Sequence, residues 1–496
     1  MSSSKYADLA ALFPGNNGDG TATGDPETGR RDTTIAMQLV ELAEARYELG
    51  RSLDGTAHAV DKHGPAVALP LRGAGGLRAS LADAYMTVYG RVPSSASLTD
   101  ALAVLEGRAQ RTDRRPVHLR VARHCDDRLV DMGDEAGHVI AIGPDHPGGW
   151  QLLDRSPVLW RRSRLTGELP EPTRGGDIEL LRRHIRVSDD TWPVLVGWLV
   201  AGLDPDIPHP VMPLTGPQGA GKSTTARRLV DLLDPGPAPL RTSPRSVEDW
   251  AVAAAGSWFV ALDNVSTIPE WLSDALCRAV TGDGLVRRAL YTDNELAVLA
   301  FRRVVIITSI DPGALRGDLA ERLAPVEVRR IPDRERLDED AMEAAWAADR
   351  PAILGGLLDL AGEVYERLPN VRPDRLPRMA DFGRLLAALD DVTGWDALDK
   401  YLDLSGQVMV AAVDDDPVAS AVRDLVQRVG TWTGTAAELL EATTPDPVPR
   451  GWPSSPRGLS GRLRRAEEPL RSVGIEVAYG RQAGTGRRII SLSRTE

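Results

Sequence analysis

The chain has 496 residues, enough for three or four domains that each bury a core. At 42% hydrophobic and 26% charged it has the composition of a globular protein, and a formal net charge of −12 argues against a chain coated in nucleic acid while leaving room for local basic surfaces. There is no apolar run of the roughly 18 residues a membrane helix needs, no secretory signal at Met1–Lys5 and no metal-ligand spacing around Cys125 and Cys277, so a cytoplasmic protein without membrane attachment is expected.

Residues 1–33 read as a flexible leader, polar and glycine-rich from Gly15 to Gly20. A helical module is expected over 34–115. Its first helix carries Ile35, Leu39, Leu42 and Leu49 on one side, its second follows Gly76 through Leu77, Leu81, Tyr85 and Val88, and its third starts at Thr99 as N-cap with Leu102 and Leu105. The module shows no acidic pair on adjacent strands of the kind a polymerising primase uses for metal ions, so packing or assembly is the expected role. From Pro116 the apolar period falls to two, and short runs at His118–Val121, Arg128–Asp131, His138–Ile142, Trp150–Leu153 and Val158–Trp160 predict an antiparallel meander over 116–168. His118, His124 and His138 have no carboxylate or thiolate partner at ligand spacing and read as scattered surface histidines. A Pro/Gly link, Leu169–Gly176, precedes a helical connector, 177–205.

The next stretch, 206–332, carries the chemistry. Gly216-Pro217-Gln218-Gly219-Ala220-Gly221-Lys222-Ser223 fits the G-x-x-x-x-G-K-S/T phosphate loop, between an apolar strand at 211–215 and a helix from Thr224. Glycines let backbone N–H groups turn inward on phosphates, Lys222 supplies a point charge, and the Ser223 hydroxyl can ligate Mg²⁺. Gly216, Gly219, Ala220, Gly221, Lys222, Ser223 and Thr224 are therefore the candidate ATP-binding set. Only four lysines occur in the chain, Lys5, Lys62, Lys222 and Lys400, and one of them stands here. Trp258–Asp263 reads as a buried parallel strand ending in an acid that would help Ser223 hold Mg²⁺. Asn264 follows it; an amide can position water but cannot accept its proton. Val304–Ile307 is a second buried strand, with Thr308 placed to sense the γ-phosphate or the attacking water. Between these strands, 281–295 alternates like a hairpin with a turn near Asp293-Asn294, putting Arg287 and Arg288 on opposite faces, available to nucleotide or DNA phosphate.

This order of motifs resembles the superfamily 3 helicases, and within them the ATPase modules of phage, plasmid and poxvirus primase-helicases. Gly282, Asp283, Leu285, Arg288, Leu290 and Tyr291 match the hairpin of those proteins, and Asp318 with Arg322 matches the D-x-x-x-R after the sensor strand. The resemblance spans about 180–395, most closely 211–325, and implies an AAA+-like core, a hexameric ring, and Arg322 as a finger reaching a neighbour's nucleotide. Three positions depart from the pattern: Thr308 replaces the usual Asn, Thr292 a hairpin Lys, and Asn264 a second acid.

A helical lid is expected over 333–411, then an acidic linker, Asp414–Pro417. Over 418–496, three helices (418–429, 436–440 and 458–473) and two strands around a Gly/Arg loop predict a winged helix. From Gly451 onward nine Arg stand against four Glu, with Arg462, Arg464 and Arg465 on the third helix and Arg481, Arg487 and Arg488 on the wing. Arg462, Arg465, Arg487 and Arg488, with Arg287 and Arg288, are the candidate DNA contacts. The expectation is a multidomain α/β protein, an ATP- and Mg²⁺-dependent DNA helicase or translocase of a phage or mobile element, with a primase or other replication protein as a possible partner. A DNA-bound ATP switch without unwinding, a small-molecule kinase and a non-enzymatic DNA-binding scaffold remain open; DNA-stimulated ATPase activity separates them.

Overall fold

The computed structural model describes residues 34–73, 75–282, 285–288, 296–299, 302–308, 317–330, 332, 338–449, 451–482 and 486–495. It divides into two compact units. The described residues of Met1–Ala141, Gln151–Leu169 and Arg288–Val298 form one, and those of Ile142–Trp150, Pro170–Arg287 and Leu299–Glu496 form the other. Among the described residues no helix is long and apolar enough to cross a membrane.

In the first unit Thr34 caps α1 (Ile35–Arg46), its hydroxyl accepting the Met37 N–H at 3.3 Å. The expected continuation to Leu49 does not occur. Tyr47 turns extended, and β1 (Tyr47–Ser52) pairs antiparallel with β2 (Ala57–Asp61). Leu49 suits a helical spacing and a strand alternation equally. The ladder with β2 decides for the strand, and it needs glycine where Gly50 faces His58, since a Cβ there would stand 2.7 Å from the His58 ring. With β3 (Leu69–Pro70) and β4 (Arg114–Arg115) a four-stranded sheet forms in the order β3-β2-β1-β4, so 34–115 is helix and sheet rather than helical. α2 (Leu77–Tyr89) and α3 (Ser95–Ala109) pack with α1 around Leu42, Leu81, Tyr85 and Leu102. Ser94, not Thr99, caps α3, accepting the Ser97 N–H at 3.1 Å.

The short strands that follow are β5 (Val117–His118), β6 (Val121–His124), β7 (Asp127–Asp131), β8 (Val139–Ile142), β9 (Trp150–Leu153) and β10 (Leu159–Trp160). β6 to β9 lie side by side in chain order, as the period-two pattern predicts, with β6 and β7 antiparallel. β5 and β10 pair parallel instead. No group of three or more His, Cys, Asp or Glu is placed to hold a metal ion among the described residues.

In the second unit a 3₁₀ helix, Ile178–Arg183, leads to α4 (Trp192–Ala201), which buries every one of its residues, as an uninterrupted apolar helix must. The strands β11 (Met212–Thr215), β12 (Leu240–Thr242), β13 (Phe259–Asp263), β16 (Val304–Thr308) and β17 (Val326–Glu327) make a sheet in the order β12-β13-β16-β11-β17, each pair parallel. β12 and β17 have no counterpart in the sequence reading. α5 (Lys222–Leu233) packs across β11, β12, β13 and β16, and α6 (Val247–Ala255), α7 (Glu270–Thr281) and α8 (Gly317–Ala320) follow. β14 (Leu285–Arg288) and β15 (Leu296–Leu299) pair as the alternation predicts. The matched Asp283, Leu290 and Tyr291, Thr292 and the turn near Asp293-Asn294 lie outside the described residues.

The long α9 (Glu339–Arg367), α10 (Ala380–Thr393) and α11 (Ala397–Asp415) come next. Residues 173–177 form a strap along α9 with a turn at Arg174-Gly175: the Thr173 and Asp177 N–H groups donate to the Pro351 and Ala352 carbonyls at 3.0 and 3.1 Å. Gly355 is required there, because a Cβ would stand 1.7 Å from the Thr173 carbonyl oxygen. The expected acidic linker is helical as far as Asp415. Asp416 alone separates α11 from α12 (Pro417–Val429), its Oδ1 accepting the Val418 and Ala419 N–H groups at 2.8 and 3.1 Å. β18 (Thr431–Gly434), α13 (Ala436–Thr443), α14 (Pro456–Arg465), α15 (Glu467–Ser472), β19 (Ile475–Arg481) and β20 (Arg488–Arg494) complete the chain, with an antiparallel sheet in the order β18-β20-β19. The single helix expected over 458–473 is broken at Ala466. Pro469 explains the break, since its ring would meet the carbonyl four residues back in a continuous helix.

Candidate active site

β11 runs into the loop Gly216–Lys222, and the loop's shape follows from its glycines. Gly216 has φ +138°, and a Cβ on it would stand 2.2 Å from the Val328 carbonyl oxygen, so only glycine lets the loop leave the sheet beside residue 328. Gly219 and Gly221 take left-handed conformations at φ +77° and +86°. Gly221 is the N-cap of α5 and brings no side chain to its first turn, so no capping side chain occupies the N–H groups there. Lys222 curls back over the loop, its Nζ donating to the carbonyls of Gly216 at 2.7 Å and Pro217 at 3.0 Å.

Three strand ends converge beside this loop. β16 lies between β11 and β13, with Leu214 opposite Thr308 and Leu262 opposite Ile307. That register sets Thr308 between the loop and Asp263. The Ser223 hydroxyl donates to Asp263 Oδ1 at 2.7 Å, and the Thr308 hydroxyl donates to the same oxygen at 2.6 Å. Thr308 Oγ1 in turn accepts the Asn264 N–H at 2.8 Å, and the Thr308 carbonyl accepts the Val265 N–H at 2.9 Å. These bonds hold Asn264 at φ +55°, a conformation non-glycine residues adopt only where the surroundings fix it. A carboxylate, two hydroxyls and a helix N-terminus thus meet at one edge of the sheet.

Beside Gly216 lies a cavity of about 630 Å³, within the size range of small-molecule sites. Thr191, Thr215 and Gly216 line it, and Lys400, Gln407 and Val408 of α11 form part of its facing wall. Sequence reasoning missed this wall. Its one available signal was Lys400, another of the four lysines, whose Nζ donates to the Trp395 carbonyl at 3.0 Å.

The remaining candidates fall elsewhere. Arg322 follows α8, half-buried, and its guanidinium donates to the Asp318 carbonyl and to Cys277 Sγ at 3.8 Å rather than to the cluster around Asp263. Burial pushes the Cys277 thiol up from its ordinary value, against the opposing pull of Arg322. Arg287 and Arg288 lie on β14. In the C-terminal domain Arg462 donates to the Gly451 carbonyl at 2.9 Å, and Arg464 lies over the Tyr479 ring at 5.2 Å. Arg465, Arg487 and Arg488 are exposed, and Arg488 sits directly across from Arg481 in the β19–β20 ladder.

Residues 178–409 match the family model described as actinomycete integrative conjugative element replication protein, and residues 418–496 match the model of the RepA C-terminal domain of such elements. Among solved structures, the apo C-terminal region of NrS-1 aligns with a TM-score of 0.39 and 13% identity over 93% of this chain and 99% of that one. The structure titled SCCmec type IV Cch, active helicase, aligns at 0.43 with 12% identity over 90% and 93%. A structure of JCV helicase aligns at 0.22 with 12% identity over 45% and 65%. A comparison with curated proteins finds no match.

Proposed function

This chain belongs to the replication-protein family of actinomycete integrative conjugative elements, and on that premise we propose that it is an ATP-dependent DNA helicase or translocase of superfamily 3 type, working as a ring. The observation that carries the reading is the convergence of Ser223, Thr308 and Asp263 beside a glycine loop that opens a helix. ATP phosphates would lie in the loop, against the N–H groups of Gly219, Gly221 and the first turn of α5. Lys222 would exchange the Gly216 and Pro217 carbonyls for the β- and γ-phosphates, and the cavity beside Gly216 would take the nucleoside. Ser223 and Asp263 are the residues that would hold Mg²⁺, which neutralises phosphate charge when bound. They fit the ion, since two protein oxygens suit a metal that keeps most of its shell for water and phosphate. Thr308 would orient water or the γ-phosphate from its place between Asp263 and Asn264. Arg322, engaged on its own subunit's α7, would serve a neighbour's site.

A basic C-terminal surface would hold DNA. Its support is the Arg481–Arg488 pair: two exposed guanidinium side chains directly across a ladder repel one another unless an anion lies between them. A second reading, a DNA-bound ATP switch acting as loader, regulator or defence component, draws on Asn264, which cannot take a proton from water. An ATPase assay with and without single-stranded DNA, with oligomer mass measured in the presence of ATP, tests both. DNA-stimulated turnover by an oligomer supports the motor. ATP binding without turnover supports the switch, and unchanged hydrolysis by Lys222→Ala removes the site.

A further inference from the structure

α11 (Ala397–Asp415) touches both ends of the proposed activity. Lys400, Leu404, Gln407, Val408 and Ala411 recur at helical spacing and form one stripe of the cavity wall facing Thr215 and Gly216. Beyond that stripe, Val413 is fully buried in the core of the C-terminal domain, with Val418, Val422, Leu470 and Ile475. One helix therefore walls the cavity and forms part of the core of the basic domain. The junction is stiff. Asp416 closes α11 and caps α12, Arg423 of α12 pairs with Asp414 of α11, and α15 packs on α11. No proline interrupts α11.

We propose that α11 is a coupling rod, through which filling of the cavity beside Gly216 alters the affinity of the C-terminal domain for duplex DNA, and DNA alters the affinity for nucleotide by the same factor. This rests on the nucleotide and DNA readings given above. A ligand seated against the stripe restrains it. A helix of this length, about 28 Å at 1.5 Å per residue, passes that restraint to its last turn unless it bends. Its weakest point is Gly406, where a Cβ would meet nothing within 4 Å, so Gly406→Ala stiffens the rod without a clash.

The test uses the full chain, a labelled duplex oligonucleotide, and a non-hydrolysable ATP analogue with Mg²⁺ whose binding is measured separately. Saturating analogue is expected to change DNA affinity by about fivefold or more, with the reciprocal change in analogue affinity on adding DNA. A short Gly-Ser insertion between Ala412, at the cavity, and Val413, in the core, should abolish the mutual effect, with analogue and duplex binding each remeasured alone in that variant. Gly406→Ala, which needs no insertion to be tolerated, should raise thermal stability and keep or enlarge the effect. Equal DNA affinity with and without bound analogue overturns the coupling while leaving the nucleotide reading intact. Absence of analogue binding overturns both. Full coupling in the insertion variant, or its loss in Gly406→Ala, shows that α11 is not a rod.

Discussion

The edge of the parallel sheet and the C-terminal hairpin hold their polar groups in opposite ways. At the sheet edge Lys222, Ser223, Thr308 and the Asn264 N–H are all bonded within the chain, at 2.6–3.0 Å. At the hairpin Arg481 and Arg488 face each other across the ladder, exposed and with like charge. The first region is assembled before any ligand arrives, and a ligand must displace bonds already made. The second carries repulsion that a phosphate backbone would relieve. Pre-assembly goes with chemistry, where a small misplacement is costly; unrelieved charge goes with recognition, where the partner completes the surface.

The sharpest way to break this contrast is Lys222→Ala or Asp263→Ala. Turnover should fall below detection in both, ATP binding should weaken in the first, and duplex binding by the C-terminal domain should persist. Steady-state hydrolysis and a DNA titration read the two halves separately, and loss of both together would mean that the regions are not distinct. Next in size, Arg322→Ala should bind ATP nearly normally and lose turnover by about 10³-fold, the usual worth of an arginine finger. Mixing it with Lys222→Ala subunits should restore part of the activity, because a mixed interface pairs an intact loop with an intact finger. Full activity of Arg322→Ala as a monomer would leave the ring without support.

The hairpin gives a smaller effect with an unusual signature. Arg481→Ala with Arg488→Ala should lower the salt slope of DNA binding by about 2, if each arginine neutralises one phosphate. The same pair of changes should raise thermal stability by a few tenths of a kcal/mol, about the range of a like-charge cross-strand pair. A variant less stable than the parent would show that the two side chains support the fold.

A separate effect, outside both regions, concerns proton activity. His209, just before β11, is fully buried against the Trp258 ring at 5.5 Å, and neither ring nitrogen has a hydrogen-bond partner. Burial, with the Arg302 charge adding, pushes its pKa down to about 3. The unfolded chain binds this proton near pH 6.5, and the folded chain does not. Stability from this group is therefore complete above pH 6.5 and declines as pH falls toward 3, with a slope approaching about 1.4 kcal/mol per pH unit. Urea midpoints followed from pH 7 to 4 in the parent and in His209→Phe should differ in slope. Parallel curves would mean that His209 is not the group responsible.

What was legible in the chain follows physical locality. The glycine loop is continuous in sequence, and the strands ending at Asp263 and Thr308 are apolar up to their last residue, so a short window contains their whole signal. β12 and β17 are three and two residues long, and Leu240-Arg241-Thr242 has one apolar side chain. They are strands because a neighbour offers a ladder edge, which no window records. Leu49 suited two periodicities, and tertiary pairing chose between them. In α14 and α15 the apolar positions Leu459, Leu463 and Leu470 kept their spacing across the break, which masked the effect of Pro469. The cavity wall is the plainest case. Lys400, Gln407 and Val408 read as an ordinary amphipathic helix, and only the fold brings them to a loop some 180 residues earlier in the chain.

The strap along α9 bears on where the replication core can be cut from the chain. Thr173 and Asp177 donate to the carbonyls of Pro351 and Ala352, and Gly355 leaves a notch only as deep as a peptide backbone. A fragment opening at Asp206 would contain the glycine loop, Asp263, Thr308 and Arg322 but would lose both the strap and α4, baring the notch and the faces of α9, α10 and α11 on which α4 packs. Such a fragment should self-associate through those bared faces whatever the state of the residues proposed for catalysis. A fragment opening at Pro170 keeps the notch filled by its own chain.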